Sequence, residues 1–268
     1  MLKDITLGQY FPGNSPVHRL DPRSKLLLLV VYITALFLAK GWVSYGVILV
    51  FLITVIRIST IPPKAILRGM KPLVMILIFT GLLNLFFTKD GPVIFKLWKI
   101  TITLGGLRQA GMMMARILML ITGTFLLTYT TSPIALTDGL ETLLGPLKKI
   151  HVPVHELSMM MCIALRFIPT LIEETDKIMC AQKARGADFE SGNLIDRAKA
   201  LIPILVPLFI SAFRRADELA TAMECRCYQG GEGRTKMKQL HFRRIDFVSF
   251  AVGGGLMAVV VALGQLGL

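Results

Sequence analysis

An all-α polytopic membrane protein is the fold class this sequence predicts, with about five transmembrane helices plus three cytoplasmic helices, two of them long and each ending in an X-Arg-X triplet. Three observations predict it. Of 268 residues, 54% are hydrophobic, and the mean hydropathy of +0.64 exceeds that of a soluble globular domain, with the excess gathered in runs. Charge is unevenly placed: residues 1–132 carry 14 Lys and Arg against 3 Asp and Glu, whereas residues 133–246 carry 16 against 14. The first excess flanks apolar runs as membrane-orienting charge and forms no nucleic-acid patch. The second region, dense in both signs, has the character of a solvated or partner-facing helical surface. Finally, residues 155–228 read as two similar helices that both close on a lone arginine between small residues.

In chain order, a turn-rich lead-in (Tyr10-Phe11-Pro12-Gly13-Asn14-Ser15-Pro16) and a charged clasp (His18 to Lys25) precede the first apolar run. No secretory leader is evident before that run, so the N-terminus is expected on the cytoplasmic side. Residues 26–39 are short for a span, and the helix is expected to extend back into Ser24 and Lys25, whose ammonium can snorkel. Gly41 marks a reversal, and residues 43–56 return. The loop 57–71 carries Arg57, Lys64, Arg68 and Lys71, which places it inside, with Lys40 on the far side. Residues 72–87 form the third span. The alternation of Ile94 to Thr103 reads as a short external β-hairpin. Residues 107–129 form the fourth span and contain Arg116, which is either a functional residue or one that faces a protein interior or a water-filled cleft and pairs with a carbonyl.

Ser132-Pro133 then opens an amphipathic helix of about fifteen residues, with Leu136, Leu140, Leu143, Leu144 and Leu147 on one face, too short and too polar to span. The first long rod follows Pro153, with Leu157, Met161, Leu165, Ile168, Ile172 and Ile178 as its stripe and a kink expected at Pro169; the second follows Gly192, with kinks at Pro203 and Pro207. Each rod, at some thirty residues, is roughly 45 Å long. Gly186 and Gly230 are expected as the helix C-caps, because a residue tolerant of φ > 0 closes a helix at little cost. A basic linker leads to the last span, where Gly253-Gly254-Gly255 would let a neighbouring helix approach. The expected domains are therefore a four-span membrane region (1–132), the cytoplasmic helices (133–229), the linker (230–246) and a C-terminal transmembrane helix (247–268).

Nothing in the chain points to catalysis. His151 and His155 are four apart but separated by Pro153 at a helix start, with no third ligand nearby. Cys162, Cys180, Cys225 and Cys227 form no CxxC pair and read as small apolar residues on helices. Gly230-Gly231-Glu232-Gly233-Arg234-Thr235-Lys236 departs from a phosphate loop in order and lacks a preceding strand. The Met112-Met113-Met114 and Met159-Met160-Met161 runs fit adaptable apolar packing. No bound cofactor or metal is expected.

The lead-in and clasp from Tyr10 to Leu26, the segment Leu165-Arg166-Phe167-Ile168-Pro169-Thr170-Leu171 with Glu174, and the two arginine-tipped helix ends together resemble the transmembrane T component of energy-coupling factor (ECF) vitamin transporters. The likeness runs through nearly the whole chain in the same order and is closer to the shared-module type than to the dedicated cobalt or nickel versions. It implies a non-catalytic subunit in the bacterial cell membrane, working with two cytoplasmic ATP-binding-cassette ATPases that bind the ATP and Mg and with an exchangeable membrane S component that captures the vitamin. It also implies that the short helix and both rods are coupling helices. Ala184, Arg185 and Gly186 at one tip, and Cys225, Arg226 and Cys227 at the other, would dock into the ATPases. The second tip departs from the usual Ala-Arg-Gly, which puts the close approach of its backbone in question. A static membrane scaffold for soluble partners is the rival reading.

Overall fold

The computed structural model describes residues 10–87, 92–97, 100–187, 189, 193–231 and 239–266. Among them the chain is helical apart from one two-stranded antiparallel hairpin. It separates into two compact units, Gly8–Thr142 with Gln239–Leu268, and Leu143–Lys238.

The first unit is a helix bundle. It contains α1 (Pro22–Leu38), α2 (Trp42–Ser59), α3 (Pro63–Met70) and α4 (Val74–Phe87), the last two joined by a 3₁₀ turn, then β1 (Val93–Leu97), β2 (Ile100–Thr103), α5 (Leu104–Thr130), α6 (Pro133–Leu143) and, from the chain's far end, α9 (Arg244–Gln265). Local chemistry sets the helix starts. The Asp21 carboxylate accepts the Arg23 N–H ahead of Pro22 at the first turn of α1, and the Thr103 hydroxyl accepts the Gly106 N–H at the start of α5. The expected hairpin is present, with Leu97 opposite Ile100 and a register irregularity between Val93 and Phe95; its Trp98-Lys99 tip lies outside the described residues. The bundle core joins Tyr32 and Leu36 of α1, Tyr45, Ile48 and Leu52 of α2, Met119, Leu126 and Tyr129 of α5, and Leu256 and Val260 of α9.

Among the described residues, five helical segments are long and apolar enough to cross a membrane: α2, α3 with α4, α5, α7 (Val154–Ala184) and α9. The total agrees with the sequence expectation, but the membership differs. At 17 residues α1 is about 25 Å long, short of a full hydrocarbon core. α7, expected as a cytoplasmic rod, is apolar enough because its first half is rich in Met, Leu and Ile.

Three further details depart from the expectations. The Lys25 side chain does not snorkel: it is 7% exposed and donates to the Thr130 carbonyl at 2.8 Å and to the Thr131 hydroxyl at 3.1 Å. Helix α6 stops at Leu143, because Gly145-Pro146 cannot continue it, and a 3₁₀ turn over Gly145–Ile150 follows. Its buried residues are Thr137 and Gly139, while Leu144 and Leu147 of the expected stripe are exposed. Of the three successive glycines in α9, Gly253 alone makes the close approach: a Cβ there would sit 2.6 Å from the Leu28 side chain, and nothing lies near Gly254 or Gly255.

The second unit holds the two long helices, α7 and α8 (Leu194–Glu224), each of 31 residues or about 46 Å. Pro169 lies inside α7, and Pro203 and Pro207 inside α8. The linker expected at 230–246 lies outside the described residues over 232–238.

Candidate functional site

Both rods end in the same hydrogen-bonded closure. At the end of α7 the Gly186 N–H donates to the Lys183 carbonyl and the Ala187 N–H to the Gln182 carbonyl, both at 3.0 Å, with Gly186 at φ +88°. At the end of α8 the Cys227 N–H donates to the Glu224 carbonyl at 2.8 Å and the Tyr228 N–H to the Met223 carbonyl at 3.0 Å, with Cys227 at φ +55°. Both are Schellman closures, a 6→1 and a 5→2 bond around one left-handed residue. Superposing them residue by residue puts Ala184 on Cys225, Arg185 on Arg226, and Gly186 on Cys227. The expectation that Gly230 caps the second rod is therefore corrected. Gly230 does adopt φ +90°, but three residues later, in the chain that leaves the tip. Cysteine takes the left-handed position, at a cost on the order of 1 kcal/mol that glycine would not incur.

Arg185 and Arg226 each sit immediately before the left-handed residue, and all six tip residues are exposed. The closure satisfies backbone carbonyls that would otherwise compete for the guanidinium. A cation there is favoured by the negative end of the helix dipole, and the planar fork can make bidentate contacts with carboxylates.

The placement of the tips follows from two contacts, one between the rods and one between α7 and the chain just past α8. Arg215 of α8 donates to Glu174 of α7 at 2.8 Å, and the His155 ring at the start of α7 packs against Gly231, where any Cβ would collide with it. Moving forward along α7 thus moves backward along α8, and the helices run antiparallel. Arg185 lies eleven residues beyond Glu174, and Arg226 eleven residues beyond Arg215. Each tip therefore projects roughly 16 Å from the ion pair, in opposite senses, which separates them by up to about 30 Å. The Arg215–Glu174 ion pair sits midway between two equivalent tips. The sequence singled out Glu174 without a partner; the eleven-residue spacing shared with Arg215 was the signal that could have found it.

The middle of α8 presents a wide apolar surface. Ile202, Leu205, Val206, Phe209, Ile210 and Phe213 are each 47–69% exposed, a density of exposed apolar side chains that marks a surface to be covered by lipid or protein. Leu157 and Met161, from the expected stripe of α7, are also about half exposed. His151 lies outside α7, at the left-handed close of the preceding 3₁₀ turn, and does not share a helix face with His155.

Within the bundle, the clasp is a built joint. The Asp21 N–H donates to buried Asp246 at 2.9 Å, and Asp246 also accepts the Arg243 N–H at 2.7 Å to cap α9. Arg23 pairs with Asp21, donates to the Leu240 carbonyl at 2.6 Å and lies over the Phe242 ring. His18 bridges the Ser15 hydroxyl and the Phe11 carbonyl. The clasp thus closes the start of the bundle on its last helix.

The profile of the cobalt transport protein family (CbiQ) matches residues 13–237. The chain is 56% identical to the energy-coupling factor transporter transmembrane protein EcfT of Thermosediminibacter oceani over 96% of its own length and 97% of the relative's. It is 53% identical to the EcfT protein of Ruminiclostridium cellulolyticum over 98% of both chains, and 51% identical to that of Bacillus subtilis over 90% and 91%.

Proposed function

The chain belongs to the EcfT transmembrane proteins of energy-coupling factor transporters, within the cobalt transport protein family, and from that membership we propose that its two arginine tips couple two ATPase subunits to a membrane S component during vitamin uptake. The observation that carries this reading is the duplicated tip, with the same closure, the same arginine position and the same distance from a shared ion pair. Two like tips facing opposite ways suit two like partners, whereas a catalytic site would bring its groups together. Arg185 with Ala184 and Gly186 docks on one ATPase, and Arg226 with Cys225 and Cys227 on the other; each guanidinium meets a carboxylate in a groove. ATP, Mg and hydrolysis belong to those partners, and this chain is a non-catalytic subunit. The tips and the N-terminus lie on the cytoplasmic side of the cell membrane, and the exposed apolar middle of α8 seats the S component. ATP-driven closure of the ATPase pair changes the distance between the tips, and because the rods cross at one ion pair, that change rotates the apolar surface of α8 beneath the S component.

The test is vitamin uptake into vesicles containing all the subunits, alongside ATPase co-purification. Removing one side of a desolvated charge pair costs roughly 2–5 kcal/mol, so R185A and R226A should each weaken ATPase retention and the double variant should abolish uptake. Full ATP-driven uptake by the double variant would refute the docking role. F209E with F213E should lose the S component while retaining both ATPases; retention of the S component would remove α8 as its seat.

A further inference from the structure

Arg116, in the apolar helix α5, is only half accounted for by the fold. Its Nε donates to the Tyr45 hydroxyl at 2.8 Å and one Nη2 hydrogen to the Ala39 carbonyl at 3.3 Å, and its guanidinium lies 5.6 Å from the centre of the Phe37 ring. A guanidinium has five N–H donors, so these two bonds hold it in place while leaving others available. Beside it lies a cavity of about 210 Å³ walled by Phe37, Lys40, Gln109, Met112, Met113 and Arg116. Among the described residues, two cations and a side-chain amide border this space, and no carboxylate does. Among the described residues of the bundle the acids are Asp21, Asp138, Glu141 and Asp246, none of which lines the cavity. Arg116 lies within an apolar helix and Lys40 is an exposed residue of the turn beside it, and two cations bordering one cavity repel one another less when an anion stands between them.

The setting narrows what that anion is. Lys40 lies in the turn just past the end of α1, and Trp42, 51% exposed, opens α2 and lies over Gly111 of α5. A lysine and a tryptophan at the ends of adjacent apolar helices mark the depth of lipid headgroups. We propose that this cavity is an anion site for a phosphate group, with Arg116 as the oriented donor, Lys40 as the mobile counter-charge and Gln109 as a neutral donor. At headgroup depth a phospholipid phosphodiester is one source and free inorganic phosphate the other. The apolar wall of Met112, Met113 and Phe37 suits the glycerol and first methylenes of a lipid. A net negative headgroup is preferred over a zwitterionic one, whose cationic end would meet Lys40.

The experiment uses the full transporter complex. In nanodiscs containing equal phosphatidylglycerol and phosphatidylcholine, native mass spectrometry after stepwise delipidation counts retained lipid, while phosphorus NMR line broadening of added inorganic phosphate tests the detergent-purified complex. Loss of one charge-assisted contact should weaken binding about tenfold or more. K40Q, which leaves the Tyr45 and Ala39 bonds intact, is read beside R116Q so that a folding defect in the latter does not decide the outcome. Phosphatidylglycerol retained by the parent and lost in K40Q identifies a lipid site. Broadening of inorganic phosphate that K40Q removes, without selective lipid retention, identifies a free-anion site. Equal retention of both lipids by parent and K40Q, with no phosphate broadening, overturns the proposal.

Discussion

Cys227 shows how one side chain can carry a conformational cost without altering a hydrogen-bond pattern. It occupies the φ +55° position that Gly186 fills at the other tip, and both closures make the same pair of bonds. C227G should therefore stabilise the end of α8 by about 1 kcal/mol, through relief of the left-handed backbone, whereas C227V should destabilise it by a similar or larger amount because a β-branched residue tolerates that region worse. Amide hydrogen exchange over residues 223–228 reads both changes; equal protection in the two variants would show that the closure does not depend on the residue at this position. The exposed Cβ also keeps any docking surface from approaching the backbone as closely at Cys227 as it can at Gly186. Arg116 belongs to the same scale. The sequence leaves it between a functional role and a carbonyl partner, and the structure supplies the carbonyl of Ala39 while leaving further donors facing a cavity.

At the level of elements, an ion pair joins the two rods, Arg215 with Glu174, whose side chains are 34% and 22% exposed. Its direct contribution to stability is modest, roughly 0.2–1 kcal/mol after solvent screening, but its position midway between the tips is where the proposed coupling would need a pivot. E174R and R215E should each reduce ATP-coupled uptake while leaving ATPase binding nearly unchanged, and the double swap should restore much of the loss. If the single variants transport at the parent rate, the crossing is passive packing. The two prolines in α8 belong to the same argument. Each removes a helical N–H donor, so α8 bends most readily through its apolar middle, between the ion pair and its own start.

On the scale of the whole molecule, the bundle is closed by a joint between residues more than two hundred positions apart. Asp246 is fully buried and accepts one backbone N–H from the clasp and one from its own helix start. D246A strands two donors, at a cost on the order of 3 kcal/mol, and should lower the midpoint of thermal unfolding in detergent. D246N, which keeps one acceptor oxygen, should fall between the two. An unchanged midpoint for D246A would show that water replaces the carboxylate. Close helix packing has the same global character: a Cβ at Gly123 would meet the buried Tyr32 ring at 2.5 Å, so α1 and α5 approach only because that residue is glycine.

Period and composition alone established the helical membrane character, the reversal at Gly41, the hairpin after the third span and the two arginine-ended rods, because apolar spacing and turn residues act over one or two helical turns. Recurrence of small-Arg-small at both rod ends made the candidate tips legible for the same local reason. The rest needed partners distant in the chain. Lys25 reads as a snorkelling lysine until Thr130 and Thr131 are brought beside it, Glu174 is one surface acid among several until Arg215 faces it, and Cys227 rather than Gly230 caps α8 because the tip closes where the hydrogen bonds fit. Hydrophobic periodicity specifies which face of a helix turns inward. Which polar group meets which, and at what end, is settled only when the helices pack and every buried donor must find an acceptor.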